Sequence, residues 1–594
     1  MLLVFLATLA GVTKSVIDVP SVQAQGLEWT AFTFESDAGE KTDAERAVIT
    51  VPASHAKPSR PTIKLPLIRF KSKASTPGAP IIYLAGGPGN SGLSAARRDQ
   101  YYPGLMALRE IADVIVFDQR GTGASEPSLN VDIRFNAPPD EPLDSPRSLA
   151  SLAHIADSAA KVVRARGVDL ADYNTQESAD DIDAIRKAIG ADKIGLWGHS
   201  YGSHLGLAYI KRHGAHVSRA IFGGVNGLDQ RWRYPSEGEA WLEAIGAAAK
   251  SVAPDLVGSL RRSIAKLEST PALVTRNDTT ILIGGDEIRT LMVLQGGESD
   301  FVKRLPIVAA NLESGNIAQY APAVRAVLRG RQLGTVMSYS MHIASGVSPQ
   351  RLARIEREAP GTILRDAINF PFNDPGFRNA WGARDLGESF RSPVRSDVPV
   401  LFLAGTLDGR TSVSAAREVK AGFRNGRLIV LDGAAHDIYG ETPRLMELMT
   451  RFMRGGNVSD ATIKVPIEFH GPDEAAVVDE LHKLVLSDGA QAAVTRARAL
   501  RAPGSGMYLS SYVMVELAAR LDRTDKRPAD AIAVLRAGTE MFPTTPILFG
   551  RLGAALATAG DRPAAIAAYA RAVEINPLLR YYAVQLAKLQ AGTP

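Results

Sequence analysis

The sequence contains no cysteine. This absence excludes a thiol nucleophile, a disulfide scaffold and thiolate metal sites. An excess of one charge is also missing, because 68 Lys and Arg residues stand against 63 Asp and Glu residues and leave a net charge of only +5. Proteins that bind nucleic acid carry denser basic surfaces and recognisable motifs. We therefore expect no nucleic-acid partner and look for chemistry among serine, acid and histidine side chains.

Long hydrophobic runs are absent as well. The apolar stretch at residues 1–12 falls short of the roughly 20 residues that a membrane-spanning helix requires. Small residues follow at Val22 and Ala24, with the spacing of a signal-peptide cleavage site. These features predict a signal peptide over residues 1–24, a periplasmic or secreted protein and no stable membrane span. A buried helix at the start of the first domain is the alternative interpretation, because a positively charged start is missing.

The chain does contain a long alternation of short apolar runs with helical patterns, in 594 residues that are 45% hydrophobic. Such alternation is typical of βαβ units, and the fold class that it predicts is α/β with a doubly wound sheet. In sheets of this kind, ligands bind at the carboxyl ends of the strands. The six runs that we predict as strands lie at residues 81–85, 114–117, 194–197, 220–222, 400–404 and 428–431.

The third run leads directly into the motif Gly-His-Ser-Tyr-Gly at residues 198–202. A G-x-S-x-G sequence between a strand and a helix forms a sharp turn that lifts the serine hydroxyl above the sheet. The flanking glycines avoid clashes, and the N-terminus of the following helix favours negative charge. This context predicts that Ser200 is a nucleophile.

A nucleophilic serine needs a base that takes its proton and an acid that orients the base. In hydrolases with this strand–turn–helix motif, the chain order is serine, acid, histidine. Asp408 lies just beyond the fifth predicted strand and His436 just beyond the sixth. We therefore predict Asp408 as the acid and His436 as the base. Asp432 and Asp437 are weaker candidates, because they lie too near His436 in the loop to reach its ring.

An acyl-transfer site also needs two N–H donors for the developing oxyanion. Tyr201, directly after the nucleophile, is predicted to supply one of them. The second is expected from the glycine-rich loop at residues 84–92, where we assign it to Gly87. Phosphate binding by this loop is disfavoured, because the lysine and the Ser/Thr of a P-loop are missing.

Five motifs stand in a characteristic order along the chain: GGPG at 86–89, DQRGTGAS at 118–125, GHSYG at 198–202, AGTLD at 404–408 and GAAHD at 433–437. Together they resemble the motifs of α/β-hydrolases of the proline iminopeptidase and tripeptidyl aminopeptidase type (peptidase family S33-like). The chain departs from the common HGGPG sequence of that family, because Ala85 stands where histidine is usual.

This resemblance implies a hydrolase sheet with a helical cap inserted before the acid. It implies that Ser200, Asp408 and His436 form the triad and that Gly87 and Tyr201 form the oxyanion hole. Family members release N-terminal residues or short peptides, and some relatives are esterases. The domains predicted on this basis are a hydrolase core at residues 25–230 and 391–457, a helical cap at 231–390, and a helical tail at 458–594.

The predicted cap offers carboxylates that could hold the ammonium group of a peptide substrate. The alternative for each of them is an ordinary solvated surface charge, and the sequence does not choose among them. A cap of this kind excludes water and shapes the pocket of the leaving group. The candidates are Glu237, Glu239, Glu243, Glu287 and Glu298.

The predicted tail is rich in alanine and repeats itself at a spacing of 34 residues. Ala531 recurs as Ala565 and Pro543 as Pro577. A period of 34 with a closing proline is the tetratricopeptide signature. Such a tail is predicted to offer a groove to a protein partner; the alternative is that it only packs on the hydrolase or mediates dimer contacts.

The function predicted from these features is that of an exported serine hydrolase. It would act as an aminopeptidase that releases N-terminal residues or short peptides through an acyl-enzyme. The alternative is a carboxylesterase or acyl hydrolase on small esters, since only the leaving group differs. A non-catalytic helical-repeat adaptor is the third hypothesis, which the complete triad disfavours. No cofactor is expected, and no metal-ligand spacing such as H-E-x-x-H is present.

Overall fold

The computed structural model describes residues 27–276, 278–330 and 332–592. The predicted signal peptide at residues 1–24 lies outside the described residues and stays a prediction. None of the described helices is both long and apolar enough to cross a membrane.

The strands in the described part of the chain form one large sheet and two small two-stranded sheets. They are β1 Thr30–Glu35, β2 Lys41–Pro52, β3 Thr62–Phe70, β4 Ile81–Leu84, β5 Val114–Phe117, β6 Asn130–Arg134, β7 Ile194–His199, β8 Val217–Gly223, β9 Ala272–Arg276, β10 Thr279–Ile283, β11 Gln332–Thr335, β12 Val400–Gly405, β13 Gly426–Asp432 and β14 Ala461–Lys464.

The large sheet has the strand order β1-β2-β3-β5-β4-β7-β8-β12-β13-β14. From β5 onward in this order the strands are parallel, and the first three add an antiparallel edge. All six strands predicted from apolar runs are confirmed. Along β4, Ile82 and Leu84 belong to one hydrophobic cluster while Ile81 and Tyr83 belong to another. The sheet is therefore buried on both faces, which confirms the predicted fold class.

The antiparallel edge was not predicted. In β2 the burial of successive residues alternates, and charged residues such as Lys41 and Glu45 stand on it. A half-buried strand alternates with a period of two, so it contains no continuous apolar run. Continuous apolar runs therefore do not mark β1, β2 and β3 in the sequence.

Helices of the hydrolase region cover the two faces of the parallel sheet. The first five in the chain are α1 Gly92–Ala95, α2 Tyr102–Arg109, α3 Pro146–Ala165, α4 Thr175–Ala188 and α5 Tyr201–His213.

The region predicted as a cap contains nine helices among its described residues, around a hydrophobic cluster of its own. It is not purely helical, because β9 pairs with β10 and β11 pairs with β6. These strands are too short, and too mixed in polarity, to stand out in the sequence. The helices are α6 Pro235–Ala248, α7 Leu256–Ser269, α8 Gly285–Gln295, α9 Ser299–Glu313, α10 Ala321–Leu328, α11 Met337–Ser345, α12 Pro349–Glu358, α13 Pro375–Trp381 and α14 Glu388–Arg391.

Two further helices complete the hydrolase region, and the described residues after β14 are helical or irregular. The helices of the tail pack as successive pairs, α17 with α18, α19 with α20 and α21 with α22, and α23 closes the series. The starts of α20 and α22 lie 34 residues apart, at Pro528 and Arg562. The assignment to the tetratricopeptide class stays a prediction. The helices are α15 Val413–Lys420, α16 Pro443–Met453, α17 Glu474–Asp488, α18 Ala490–Arg501, α19 Ser511–Arg523, α20 Pro528–Met541, α21 Pro546–Thr558, α22 Arg562–Ile575 and α23 Arg580–Ala591.

The tail contacts the hydrolase region at its far end. Asn576 Nδ2 donates a hydrogen bond to the carbonyl oxygen of Gly440 over 3.2 Å. Arg580 forms an ion pair of 2.8 Å with Glu40, in the turn between β1 and β2. Leu578 is buried in the hydrophobic cluster on one face of the sheet. The tail thus folds back onto the domain that carries the candidate site.

Candidate active site

Ser200 sits at a strained turn between β7 and α5. Its φ is 54° and its ψ is −122°, in the region that L-residues other than glycine rarely adopt. The N–H of Ser200 donates to the carbonyl oxygen of Gly223 at the end of β8, over 2.8 Å. Such strain persists only where the surrounding structure imposes it, and it is typical of functional sites. The turn therefore has the geometry predicted for a nucleophile elbow.

Gly202, in the first turn of α5, lets that helix approach the sheet. A β-carbon at this position would overlap the backbone carbonyl of Leu84 in β4. We expect Gly202→Ala to push α5 away from the sheet and to lower the free energy of unfolding by roughly 3 kcal/mol or more, since overpacking against backbone has no side chain to yield. Denaturant titration of the purified variant measures this.

The matched control for this prediction is Gly214→Ala, at the other end of α5. There a β-carbon would meet only Ile210 Cγ2, at the ordinary contact distance of 3.7 Å. We expect this variant to unfold at the wild-type denaturant concentration. Equal stability of the Gly202 and Gly214 variants would contradict the role assigned to the close approach.

Asp408 and His436 form a buried pair. His436 Nδ1 lies 2.7 Å from Asp408 Oδ2, and the two residues are 7% and 4% exposed. The carboxylate also accepts hydrogen bonds from the N–H of Arg410 (2.7 Å), the N–H of Thr411 (2.9 Å) and the hydroxyl of Thr411 (2.6 Å). The competing acids point elsewhere: Asp432 accepts from Thr406, and Asp437 from Ser299.

The charge state of Asp408 follows from these partners. Burial alone would raise the pKa of this carboxyl, but the charge on His436 and the hydrogen bonds from His436 and Thr411 hold the pKa below its ordinary value. The carboxylate is therefore ionised at neutral pH. An ionised acceptor at Nδ1 keeps the proton of neutral His436 on that nitrogen, which leaves Nε2 able to accept another proton.

Ser200 follows β7 and His436 follows β13, so both lie at the carboxyl end of the sheet, with β8 and β12 between their strands. A β-carbon at Gly224, directly after β8, would come within 2.7 Å of His436 Cε1 and 3.1 Å of His199 Cε1. The ring of His199 lies 4.7 Å from that of His436. Burial, followed by the nearby charge of His436, holds the pKa of His199 well below its usual value. A neutral His199 therefore forms the floor beneath His436 and adds no second positive charge.

The predicted oxyanion residues lie on either side of Ser200. A β-carbon at Gly86 would approach Ser200 Cβ to 3.1 Å, so the glycine-rich loop runs directly against the nucleophile. Gly87 follows with a φ of 109°, which suits glycine. Tyr201 is the first residue of α5, where N–H groups have no acceptor within the helix. Both backbone segments are therefore next to Ser200, as the prediction requires.

The segment at residues 118–125 holds the glycine-rich loop in place, a function that sequence reasoning missed. Gln119 Nε2 donates to the carbonyl oxygen of Ala85 over 3.0 Å. Asp118 accepts hydrogen bonds from the hydroxyl of Ser91 (2.6 Å) and the N–H of Leu93 (3.1 Å). The two ends of the loop are thereby tied to the end of β5. The motif was recognised as a family marker, but its contacts depend on tertiary structure.

The cap also fixes the loop that bears Asp408. Trp241 Nε1, in α6, donates to the carbonyl oxygen of Leu407 over 2.9 Å. The N–H of Gly409 donates to the carbonyl oxygen of Gly296, directly after α8, over 3.0 Å. Both residues that flank Asp408 are thus bonded to the cap. The region predicted as a cap therefore helps to position the acid.

Among the five cap carboxylates considered for a substrate amine, Glu298 borders the site. The backbone carbonyl oxygen of the residue before Glu298 accepts a hydrogen bond from the N–H of His436 over 3.1 Å. The carboxylate of Glu298 itself lies 2.8 Å from Arg410 Nη2. Glu239 and Glu287 pair with other arginines of the cap. In the described part of the chain, no group of three or more acid and histidine side chains could hold a metal ion.

The sheet, the strained serine and the buried acid–histidine pair together have the arrangement of the α/β-hydrolase fold. Residues 79–280 match the family described as alpha/beta hydrolase fold, and residues 379–463 match the family described as TAP-like protein. The chain therefore carries an alpha/beta hydrolase domain. The second match contains both Asp408 and His436.

Curated relatives match parts of this chain. Serine protease Hip1 of Mycobacterium tuberculosis is 35% identical over 188 residues, which cover 30% of this chain and 35% of the relative. Tripeptidyl aminopeptidase of Streptomyces lividans is 32% identical over 210 residues, covering 33% and 36%. Proline iminopeptidase of Neisseria gonorrhoeae is 25% identical over 183 residues, covering 31% and 42%. The matched segments thus span well under half of each relative's length.

Proposed function

We propose that this protein is an exported serine hydrolase that cleaves peptides from their N-terminal end through an acyl-enzyme on Ser200. The observation that carries the proposal is the buried Asp408–His436 pair, 2.7 Å apart, at the strand ends where the strained Ser200 also lies. The relatives that are named as a serine protease and as aminopeptidases support a peptide substrate.

The reaction follows from the roles of these side chains. His436 Nε2 takes the proton of the Ser200 hydroxyl as its oxygen attacks the substrate carbonyl, and the N–H groups of Gly87 and Tyr201 receive the developing oxyanion. His436 then gives the proton to the leaving amine. A water molecule, activated by the same histidine, releases the acyl group and restores Ser200.

A carboxylesterase on small esters is the second candidate function. It uses the same Ser200 chemistry, and it differs only in the leaving group, an alcohol instead of an amine. A panel of aminoacyl amides, tripeptidyl amides and short acyl esters separates the two. Turnover of peptide amides supports the peptidase, whereas turnover of esters alone would overturn it in favour of the esterase.

Labelling by a fluorophosphonate probe tests the hydrolase function itself. The probe reacts with a serine only when its hydroxyl is activated, so we expect the wild-type protein to be labelled and Ser200→Ala to remain unlabelled. Ser263→Ala is the matched control, which we expect to be labelled like the wild type, because Ser263 is a buried serine of α7 and α7 packs against α9. A folded wild-type protein that takes up no label would instead favour the non-catalytic adaptor with a helical tail.

A further inference from the structure

A half-buried arginine and a buried histidine of the region predicted as a cap lie close to Tyr201, the residue after the candidate nucleophile. Arg231 Nη2 is 3.0 Å from His342 Nδ1, and its guanidinium carbon is 5.7 Å from the centre of the Tyr201 ring. His342 is 6% exposed and stacks on Phe372, with ring centres 3.6 Å apart. Tyr201 directly follows Ser200, so the Arg231–His342 pair lies near the reacting centre.

The positive charge of Arg231 has no carboxylate partner among the described residues. Its protein acceptors are His342 Nδ1 and, at 3.4 Å, Asn226 Oδ1. Burial lowers the pKa of Arg231 to about 10, so it stays charged at neutral pH. By contrast Arg351, also in the cap, lies 3.7 Å from Asp229 and has a counter-charge. A buried charge without a partner is costly, so a fold retains one where a ligand completes it.

Neighbouring cations strengthen the positive potential at this place. Arg233 Nη1 donates to the carbonyl oxygen of Gly409 over 3.0 Å, next to the acid Asp408, and Arg378 donates to the carbonyl oxygen of Phe372. Neither forms an ion pair with a carboxylate in the described residues. Arg233 thus adds positive charge beside the acid loop, and Arg378 adds it beside Phe372, on which His342 stacks.

Two polar atoms of the pair have no partner. These are Arg231 Nε and His342 Nε2, both buried. Burial, followed by the charge of Arg231, holds the pKa of His342 well below its usual value, so the ring is neutral. Because Nδ1 accepts from Arg231, the single proton of His342 is on Nε2. Both unpartnered atoms are consequently N–H donors, which an anionic acceptor would satisfy.

Hydrogen bonds connect the surroundings of this pair to the nucleophile. The N–H of Asn226 donates to the hydroxyl of Ser203 (2.9 Å), which donates to the carbonyl oxygen of Ser200 (2.6 Å). On the opposite side, α11 carries His342 and lies against the glycine-rich loop, since a β-carbon at Gly89 would approach Ser338 Cβ to 3.6 Å. Arg231 thus lies between Tyr201 of α5 and His342 of α11, the helix that packs against the glycine-rich loop.

We propose that Arg231 and His342 form a subsite that binds a carboxylate of the substrate. The inference rests on the proposed function, because it assigns a specificity group to the substrate that Ser200 attacks. The carboxylate comes either from the C-terminus of a short peptide or from an acidic side chain. In the first case the subsite selects short peptides, because the carboxylate must lie within a few residues of the cleaved bond.

Protection of Ser200 from the fluorophosphonate probe tests this subsite without depending on which bond is cleaved. The competitors are a short peptide with a free C-terminal carboxylate, the same peptide as its C-terminal amide, and amidated peptides with glutamate or glutamine inside. We expect one of the acids to protect at a concentration roughly 10- to 100-fold below that of its neutral counterpart, as befits a charged hydrogen bond. The acid and neutral peptides that differ in protection identify the source of the carboxylate, which is either the C-terminus or an acidic side chain.

Variants of the two residues test whether the preference for acid over neutral competitors arises at the proposed subsite. Arg231→Met is expected to remove the difference between acid and neutral competitors, and His342→Phe to reduce it, while melting temperatures check that each variant folds. The matched control is Arg357→Met, an exposed arginine on α12 of the cap, which should retain the wild-type preference.

The possible failures are distinguishable. Equal protection by acid and neutral peptides, or no protection by either, with Ser200 still labelled would overturn the subsite and leave the hydrolase function standing. A wild-type protein that takes no label would overturn the proposed function, and the subsite with it.

If Arg231→Met folds and keeps the full preference for the acid, the subsite is assigned to the wrong residues. Should that variant not fold, the wild-type comparison and His342→Phe still decide the matter.

Discussion

Replacing His436 with alanine is expected to lower the turnover of any accepted substrate by about 10⁶-fold, the order observed when the histidine of a serine triad is removed. The physical reason is that the variant loses the imidazole assigned to take the proton of Ser200. His199 is the nearest other imidazole, but burial keeps its pKa well below its usual value, which makes it a weak base. Hydrolysis rates of the wild-type protein and the variant, with excess substrate, measure the effect.

His216→Ala is the matched control for this prediction. His216 is partly exposed, follows α5 and contacts the carbonyl oxygen of Asp192, away from the site. We expect its turnover to equal that of the wild-type protein. If His436→Ala retained more than about a hundredth of the wild-type rate, another base would have to serve Ser200, and the assignment of His436 would be wrong.

Asp408→Asn is expected to lower turnover by about 10⁴-fold, because an amide leaves the imidazole in the wrong tautomer. The side-chain oxygen of asparagine can still accept from the N–H groups of Arg410 and Thr411, as Asp408 Oδ1 does. Its NH₂ group would then face His436 Nδ1 and donate to it. The proton of His436 would move to Nε2, the nitrogen that must accept the proton of Ser200.

Thermal unfolding and turnover, measured on the same variant, separate a loss of activity through the wrong tautomer from a loss through misfolding. We expect Asp408→Asn to unfold close to the wild-type temperature while its turnover falls. Asp437→Asn is the control, since this carboxylate bonds to Ser299 and does not contact the imidazole of His436. Equal losses of turnover in the two variants would contradict the assignment of Asp408 as the orienting acid.

The sheet could be predicted from sequence wherever its strands are buried on both faces. Strands such as β5 and β7 are fully buried, so they appear as continuous apolar runs and were placed correctly. The alternation of β2 and the short β9–β10 pair carry weaker signals, because half of each strand faces solvent or polar neighbours. The local composition of a segment shows how far it is buried. It therefore reveals the strands of the sheet only where they are buried on both faces.

The candidate triad could be predicted because each member stands at a strand end within a recognisable motif. The contacts that support it could not. Gly224 leaves room for the ring of His436, Trp241 holds the loop of Asp408, and Arg231 approaches Tyr201, yet each is distant in sequence from the residue it contacts. Nothing in their local sequence distinguishes them from ordinary glycine, tryptophan or arginine. Only the fold brings them to the site.

The contacts of the tail join residues that are synthesised at very different times. The ion pair between Arg580 and Glu40 joins residues 540 positions apart, and Asn576 reaches Gly440, four residues beyond His436, across 136 positions. At the roughly 5–20 residues per second of translation, the first strands emerge about 30–100 s before their partner in α23 exists. A growing chain therefore carries the loop of His436 without its contact to the tail until Asn576 has been synthesised.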